Sequence, residues 1–460
     1  MKRLYTFLVL SCLLLASWAQ EVYICKDGYY TKQNISEGLS INFQDAPDSI
    51  TFSKPIMHPV VEVAYNGTEA NVVIPSYMKD SVICTRVNGL DSYVCLEYTG
   101  NSDEIIYNVT GSSTNGALII KSDYKMRVNL NNVTLNSQCG EAMRFKCGKR
   151  IALVMADGSV NTFTDSNGET TPDPMDNHKA CIYTKGHLEI SGNGTLNVTG
   201  NFNHAIDTKE HLKVKRTVKA INILGAVGDG IHVGEFFEMN GGVLTIDDTA
   251  MKDGIQVEYK REDDGELIKD EENTGDITIN GGTINITQSK TEDVKCIKAE
   301  NSVFINGGTL LLHATANGTR GIQADRDVTI AQAEDATTSI TIYAEGAKCT
   351  VTEHKDDPDK CMGINVDHNI TITGGTMKIY ASGQSANGLK AGYNLIISGG
   401  NTTIEANGVS VNGMKIGNNV TVTGGTTKVA NEGTGSKGVL YGGTWSVRGG
   451  TFQSSTPIKK

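Results

Sequence analysis

The chain has 460 residues, 51 glycines against 8 prolines, and a formal charge of −11. That charge argues against nucleic acid as a partner and disfavours an acidic polymer without a bridging cation, while permitting a neutral polymer or a bound cation. Thr, Asn and Ile are abundant and helix-forming runs are scarce, which favours many short strands joined by turns.

The start, MKRLYTFLVLSCLLLASWAQ, places Lys2 and Arg3 before an apolar run that ends at Ser17-Trp18-Ala19. This pattern is a secretory signal peptide over residues 1–19, cut after Ala19. Lipidation at Cys12 is the alternative, although Cys12 lies inside the apolar run. No other segment is long and apolar enough to span a membrane. The expected location is therefore secreted, periplasmic or cell-surface. Residues 20–60 read as a small β element.

Ten cysteines suit export. Cys84/Cys95, Cys139/Cys147 and Cys349/Cys361 are close enough in sequence for local disulfide staples, but sequence alone does not set connectivity. No C-x-x-C pair suggests zinc. Sequons such as Asn66-Gly67-Thr68 fit ordinary strand-and-turn composition.

Residues 105–200 carry apolar runs (IIYNVTG, GALIIKS, KMRVNLNNVTL, RIALVMA, HLEISG, GTLNVTG) that read as the first coils of a repeat. Beyond them a small residue followed by an aliphatic recurs: HAIDT (204–208), DGIHV (229–233), DGIQV (253–257), KCIKA (295–299), RGIQA (320–324), MGINV (362–366), NGLKA (387–391), NGMKI (412–416) and KGVLY (437–441). Gly374-Gly375, Gly399-Gly400 and Gly424-Gly425 stand 25 residues apart. A fixed period of this size marks a stacked repeat. Alternation points Ile231 and Val233 one way and His232 the other. A single hairpin cannot bury such an apolar face, whereas coiling the chain so that each turn pairs in parallel with the next buries it continuously. The expectation is an all-β, right-handed, single-stranded parallel β-helix over 61–455, with about 25 residues and three strands per coil. Two insertions interrupt it, at 258–273 and near 346–360.

GSSTNGALIIKSDYKMRVNLNNVTL, GKRIALVMADGSVNTFTD, ACIYTKGHLEISGNGTLNVTGNFNHAI and GDGIHVGEFFEMNGGVLTI occur in that order. This series closely resembles the secreted carbohydrate-binding, pectate-lyase-like β-helix proteins of polysaccharide-degrading anaerobic bacteria, over roughly 60–455. The segment ending DSITF is similar to an N-terminal piece found on exported proteins of such Gram-negative bacteria. The resemblance implies a right-handed parallel β-helix, bound Ca²⁺ and binding of plant polysaccharides such as cellulose or polygalacturonate, without established cleavage. At 204–208 the sequence has His-Ala-Ile where the family often has an Asp- or His-Gly-Ile element.

Three groups of residues stand out. Asp229 and Asp253 occupy one place in neighbouring coils, so stacking sets like charges together unless a cation sits between them. Asp247 and Asp248 end the strand leading into Asp253, and Asp207 lies one coil before Asp229. Such hard oxygen ligands suit Ca²⁺; the plain alternative is Asp before Gly as ordinary turn chemistry. A second column, Asp247, Thr287, His313, Tyr343, Tyr380 and Glu405, offers His313, Tyr343 and Tyr380 as aromatic surfaces for sugar rings, or as strand-favoured surface residues. A third column runs Asp207, His232, Gln256, Lys298, Gln323, Asn365, Lys390 and Lys415. It sets hydrogen-bonding groups in register, with Lys390 and Lys415 placed to meet the carboxylates of an acidic glycan; ordinary solvated polar residues are the plain alternative.

A polysaccharide lyase needs a Ca²⁺-acidified sugar proton and a basic side chain. Lys252 is the nearest base by sequence, and Arg320 and Arg326 lie two coils or more beyond the Asp cluster. A glycoside hydrolase needs two positioned carboxylates, and the G-H-G and R-I-K signature of β-helical polygalacturonases is absent. The sequence therefore favours a monomeric, non-catalytic polysaccharide binder, with a lyase or a purely structural surface protein as alternatives.

Overall fold

The computed structural model describes residues 21–26, 29–34, 49–51, 59–168, 178–262, 264–350 and 359–460. The expected signal peptide and Cys12 lie outside these residues. The chain divides into two units, Met1–His58 and Pro59–Lys460. In the first, Glu21–Lys26 pairs antiparallel with both Tyr29–Asn34 and Ser49–Thr51.

The second unit is a parallel β-helix, and its pairing register shows why. Each turn of chain lays one strand on each of three sheets, and every strand pairs in parallel with its counterpart one coil later. Sheet I contains Leu188–Ser191, Leu212–Val214 and Phe236–Met239. Sheet II contains Thr195–Gly200, Ala220–Ala226 and Val243–Asp247. Sheet III contains His204–Thr208, Ile231–Val233, Ile255–Val257, Lys295–Ala299, Arg320–Ala324, Met362–Val366, Asn387–Ala391, Asn412–Ile416 and Lys437–Tyr441. At each end long strands bend across the corner between sheets I and II. Lys125–Asn136, for instance, pairs Ile151–Met155 with its first half and Val160–Thr164 with its second.

The core is a stack of aliphatic ladders. In sheet III, Ile206, Ile231, Ile255, Ile297, Ile322, Ile364, Leu389, Met414 and Val439 lie one above another, all fully buried. Each such side chain is worth about 1.5–3 kcal/mol of burial. The residue before each aliphatic is small because sheet II packs onto it: a Cβ added at Gly363 would meet Ile379 Cγ2 at 2.7 Å and Gly388 O at 2.5 Å. The Gly-Gly corners have a conformational cause. Gly400 takes φ +75°, and a Cβ there would approach Gly374 O to 2.7 Å; only glycine meets both demands.

The ends of a stack expose unpaired strand edges, which need covering. Antiparallel hairpins, Val60–Asn66 with Glu69–Val73 and Val82–Arg86 with Tyr93–Tyr98, close the N-terminal end. At the other end Trp445 packs edge-on to Phe452 at 4.8 Å and tilted against Tyr441 at 5.5 Å. Turns are bound by side-chain ladders. Asn394 Nδ2 donates to Asn369 Oδ1 at 2.9 Å, and Asn419 N–H donates to Asn394 Oδ1 at 3.2 Å.

The disulfide staples do not form. Cys84, Cys95, Cys147 and Cys361 are free thiols, so each anticipated pair has at least one unbridged member. The register explains the first pair. Cys84 lies opposite Leu96 and Cys95 opposite Thr85, so the two side chains leave opposite faces of the hairpin. Cys147 and Cys361 donate instead to Tyr124 O and Ala314 O, each at 3.2 Å.

Candidate functional site

The outward column of sheet III is continuous. Asp207, His232, Gln256, Lys298, Gln323, Asn365, Lys390 and Lys415 are successive Cα partners. Neighbouring coils lie about 4.8 Å apart, so the column presents a hydrogen-bonding group at that interval. Its character changes along the axis, from carboxylate and imidazole at Asp207 and His232 to amines at Lys390 and Lys415. Burial, followed by the neighbouring charges of Arg320 and Lys415, pulls the Lys390 pKa down from its usual value.

The acidic end is organised around Asp229, which is 2% exposed. Asp229 Oδ2 lies 3.1 Å from His204 Nδ1 and 3.0 Å from His232 Nδ1. Its Oδ1 accepts the backbone N–H of Asp253 at 2.9 Å. Burial opposes ionisation of Asp229, but the bonds to His204 and His232 outweigh it and hold the carboxyl well below its ordinary range. Asp253 goes the other way: burial first, then the Asp229 charge, raise its pKa. Asp253 Oδ1 accepts the Lys295 N–H at 2.7 Å, and its Oδ2 lies 3.5 Å from Lys298 Nζ. Lys298 in turn reaches Gln256 Oε1 at 3.4 Å.

Stacking thus brings Asp229 to Asp253 and sets Asp207 one rung from His232. It does not bring Asp248 there: that carboxylate accepts from Ser289 N–H and Oγ and pairs with Lys290 at 3.4 Å. Asp247 is an exposed member of the sheet II column. Among the described residues, only Asp229 of the five expected ligands belongs to a convergent group, and its companions there are His204 and His232. Imidazole nitrogens and carboxylate oxygens already holding protein donors do not match the six to eight oxygens that Ca²⁺ takes. The donor set does not fit Ca²⁺.

The aromatic column also stacks as the register requires. His313 and Tyr343 lie 4.5 Å apart at 7° between planes, and Tyr343 and Tyr380 lie 4.9 Å apart at 11°. These rings cover one another's faces, so they offer edges and the two end faces to a ligand rather than a broad platform.

Sequence reasoning missed several residues. His204 is one; a second convergent group is His187, His211, Glu235 and Glu272, with Glu210 and Lys260 beside it. The signal was present in KGHL (185–188) and KEHL (209–212), whose leucines are Cα partners. It also missed the approach of Lys298, rather than Lys252, to Asp253.

A parallel β-helix whose outer face carries a polar ladder in register, part buried and part accessible, belongs to the class of extended, repeat-built proteins. The model of the carbohydrate-binding domain-containing proteins matches residues 91–406. That is more than half of the chain, and the protein belongs to this family. A relative from Acetivibrio thermocellus, also described as a carbohydrate-binding domain-containing protein, is 31% identical over 121 residues, which is 25% of this chain and 42% of that one. The match thus spans under half of that relative's length. A solved structure, a polysaccharide lyase-like protein from C. thermocellum, is 22% identical over 61% of this chain and 96% of its own, with a TM-score of 0.44.

Proposed function

We propose that the protein binds plant-type polysaccharide, cellulose or polygalacturonate, without cleaving it, as an exported monomer at the cell surface or outside the cell. The in-register ladder of sheet III carries this reading. A linear polymer laid along the stack axis meets amide and amine donors at Lys298, Gln323, Lys390 and Lys415, with Asn365 buried in the rung between Gln323 and Lys390. The ladder is preorganised by the core ladder behind it, which lowers the ordering cost of binding. Lys390 and Lys415 add charge for a uronate carboxylate, offsetting the acidic balance of the whole chain. Calcium, which the resemblance implies, is left out of this reading because the residues around Asp229 do not suit it.

A polysaccharide lyase is the second reading, favoured by one observation: Lys298 Nζ lies 3.5 Å from Asp253 Oδ2, placing an amine beside the acidic cluster. Retention on insoluble cellulose and on pectin gels, with and without chelator, separates the two when the supernatant is also assayed for unsaturated products by absorbance. Binding without new absorbance, unchanged by chelator, supports the first reading. New absorbance supports the lyase, and no retention on any glycan defeats both.

A further inference from the structure

We infer that His187, His211, Glu235 and Glu272 form a site for a divalent ion of the zinc type, which clips the 258–273 insertion onto the helix. The inference stands apart from glycan binding. His187, His211 and Glu235 lie in the corners that follow Ala180–Thr184, His204–Thr208 and Ile231–Val233, three successive strands of sheet III, so the stacking of coils puts them side by side. Glu272 comes from the insertion that leaves the next strand, Ile255–Val257, and folds back over those corners.

The ligand atoms converge. One atom from each of the four residues lies within 4.8 Å of all the others. His211 Nδ1 is 3.4 Å from Glu272 Oε2 and 3.7 Å from Glu235 Oε2, and His187 Nε2 is 3.9 Å from Glu272 Oε2. Tetrahedral bonds of about 2.0–2.1 Å put ligand atoms about 3.3 Å apart, so these three separations need to contract by about 0.1–0.6 Å for the ion to be held. Two imidazoles with two carboxylates select a borderline ion over Ca²⁺ or Mg²⁺.

Two further observations point to an occupant. His211 and Glu235 are each 3% exposed, yet His211 Nδ1 and Glu235 Oε2, which face each other, have no hydrogen-bond partner. Buried polar atoms are normally satisfied, and an orphaned pair calls for an explanation such as an ion. The charges agree. Glu210, Glu235 and Glu272 carry three negative charges, and Lys260, 2.7 Å from Glu210 and 3.3 Å from Glu235, returns one. A divalent ion neutralises the remaining two. His187 Nε2 now sits 2.7 Å from Glu210 Oε2; when His187 turns to the ion, Glu210 keeps Lys260. His211 is held by its neighbours, tilted at 48° against His187 at 4.1 Å and stacked on Phe236 at 4.5 Å.

The test uses the full chain, stripped with chelator and titrated with Co²⁺ and then Zn²⁺. Visible absorption of Co²⁺ reports coordination. Tryptic cleavage at Lys260, Arg261 and Lys269 reports the state of the insertion. We expect one Co²⁺ per chain with strong visible bands, displacement by Zn²⁺ but not by excess Ca²⁺, and slower cleavage when the ion is bound. Glu272→Ala, at a half-exposed position, and His187→Ala should each weaken binding by at least about 10–100-fold, the loss that removing a mere supporting partner of a metal ligand causes. Asp248→Asn should leave it unchanged. Absence of saturable Co²⁺ binding in the unaltered protein, or Glu272→Ala and His187→Ala variants that bind as tightly, would overturn the inference.

Discussion

Asp253 donates its backbone N–H to Asp229 Oδ1 at 2.9 Å, across one full coil. That bond, with His204 and His232 on the other oxygen, makes two like-charged neighbours unequal. Asp229 is held ionised and Asp253 is pushed toward its neutral form. The pair is a structural node as much as a chemical one.

Removing Asp229 should therefore cost stability. Breaking a buried charge network by deleting one partner costs about 3–5 kcal/mol, and Asp229→Ala should fall in that range by urea unfolding. Asp229→Asn keeps an acceptor for the Asp253 N–H and should cost less. An Asp229→Ala midpoint equal to that of the unaltered protein would show that the node carries no load.

The corner glycines separate conformational strain from crowding. Gly400→Ala meets both a positive φ and a carbonyl carbon 2.8 Å from the new Cβ, and should cost about 1–3 kcal/mol. Gly265→Ala, in the 258–273 insertion, has φ +90° in open space, and should cost only the left-handed strain, about 1–2 kcal/mol. Thermal unfolding of the two variants checks the order; equal losses would remove the crowding argument.

Glu292 gives a pH signature. The Thr350 N–H donates to it at 2.7 Å, and the Thr350 hydroxyl and Asn317 add further bonds. Led by the Thr350 N–H, these hold the carboxyl at about 2. A depressed folded value means the tie is at full strength above the unfolded pKa of about 4.3 and is lost as pH falls toward the folded one. The protection factor of the Thr350 amide against hydrogen exchange should be constant from pH 7 to pH 5 and drop below about pH 4. In Glu292→Gln it should be low at every pH. A flat profile in the unaltered protein would contradict this.

The stacked rings make a different forecast from a sugar platform. Tyr343 lies between His313 and Tyr380 with both faces covered. Tyr343→Ala should lower stability by about 0.5–1.5 kcal/mol for the lost ring pairs, beyond the burial term, while glycan affinity changes little. A large loss of affinity with stability intact would return the rings to the binding surface.

Much of this was legible because the period is strict. One residue per coil, counted outward on each strand, places Gln323 beside Asn365 even across the 346–360 insertion. The same count stacks Tyr343 on Tyr380. What was not legible came from residues off the strands. His204 is an exception: it opens HAIDT as Asp229 opens DGIHV, 25 residues on, so counting does stack the two, and only the departure of His-Ala-Ile from the family element sets it aside. Asp248 is near Asp253 in sequence but turns to Ser289 in space, since the chain changes sheet between them. Glu272 and Lys260 reach back over earlier coils from an insertion whose path no periodicity describes.

The most direct measurement is the affinity of the protein for polygalacturonate and for cellulose, with and without the double substitution Lys390→Ala/Lys415→Ala, at low and high salt. The account predicts about tenfold weaker polygalacturonate binding, equivalent to about 1.4 kcal/mol, a flatter salt dependence, and little change on cellulose. Polygalacturonate affinity that stays the same in the double variant at both salt concentrations would contradict it.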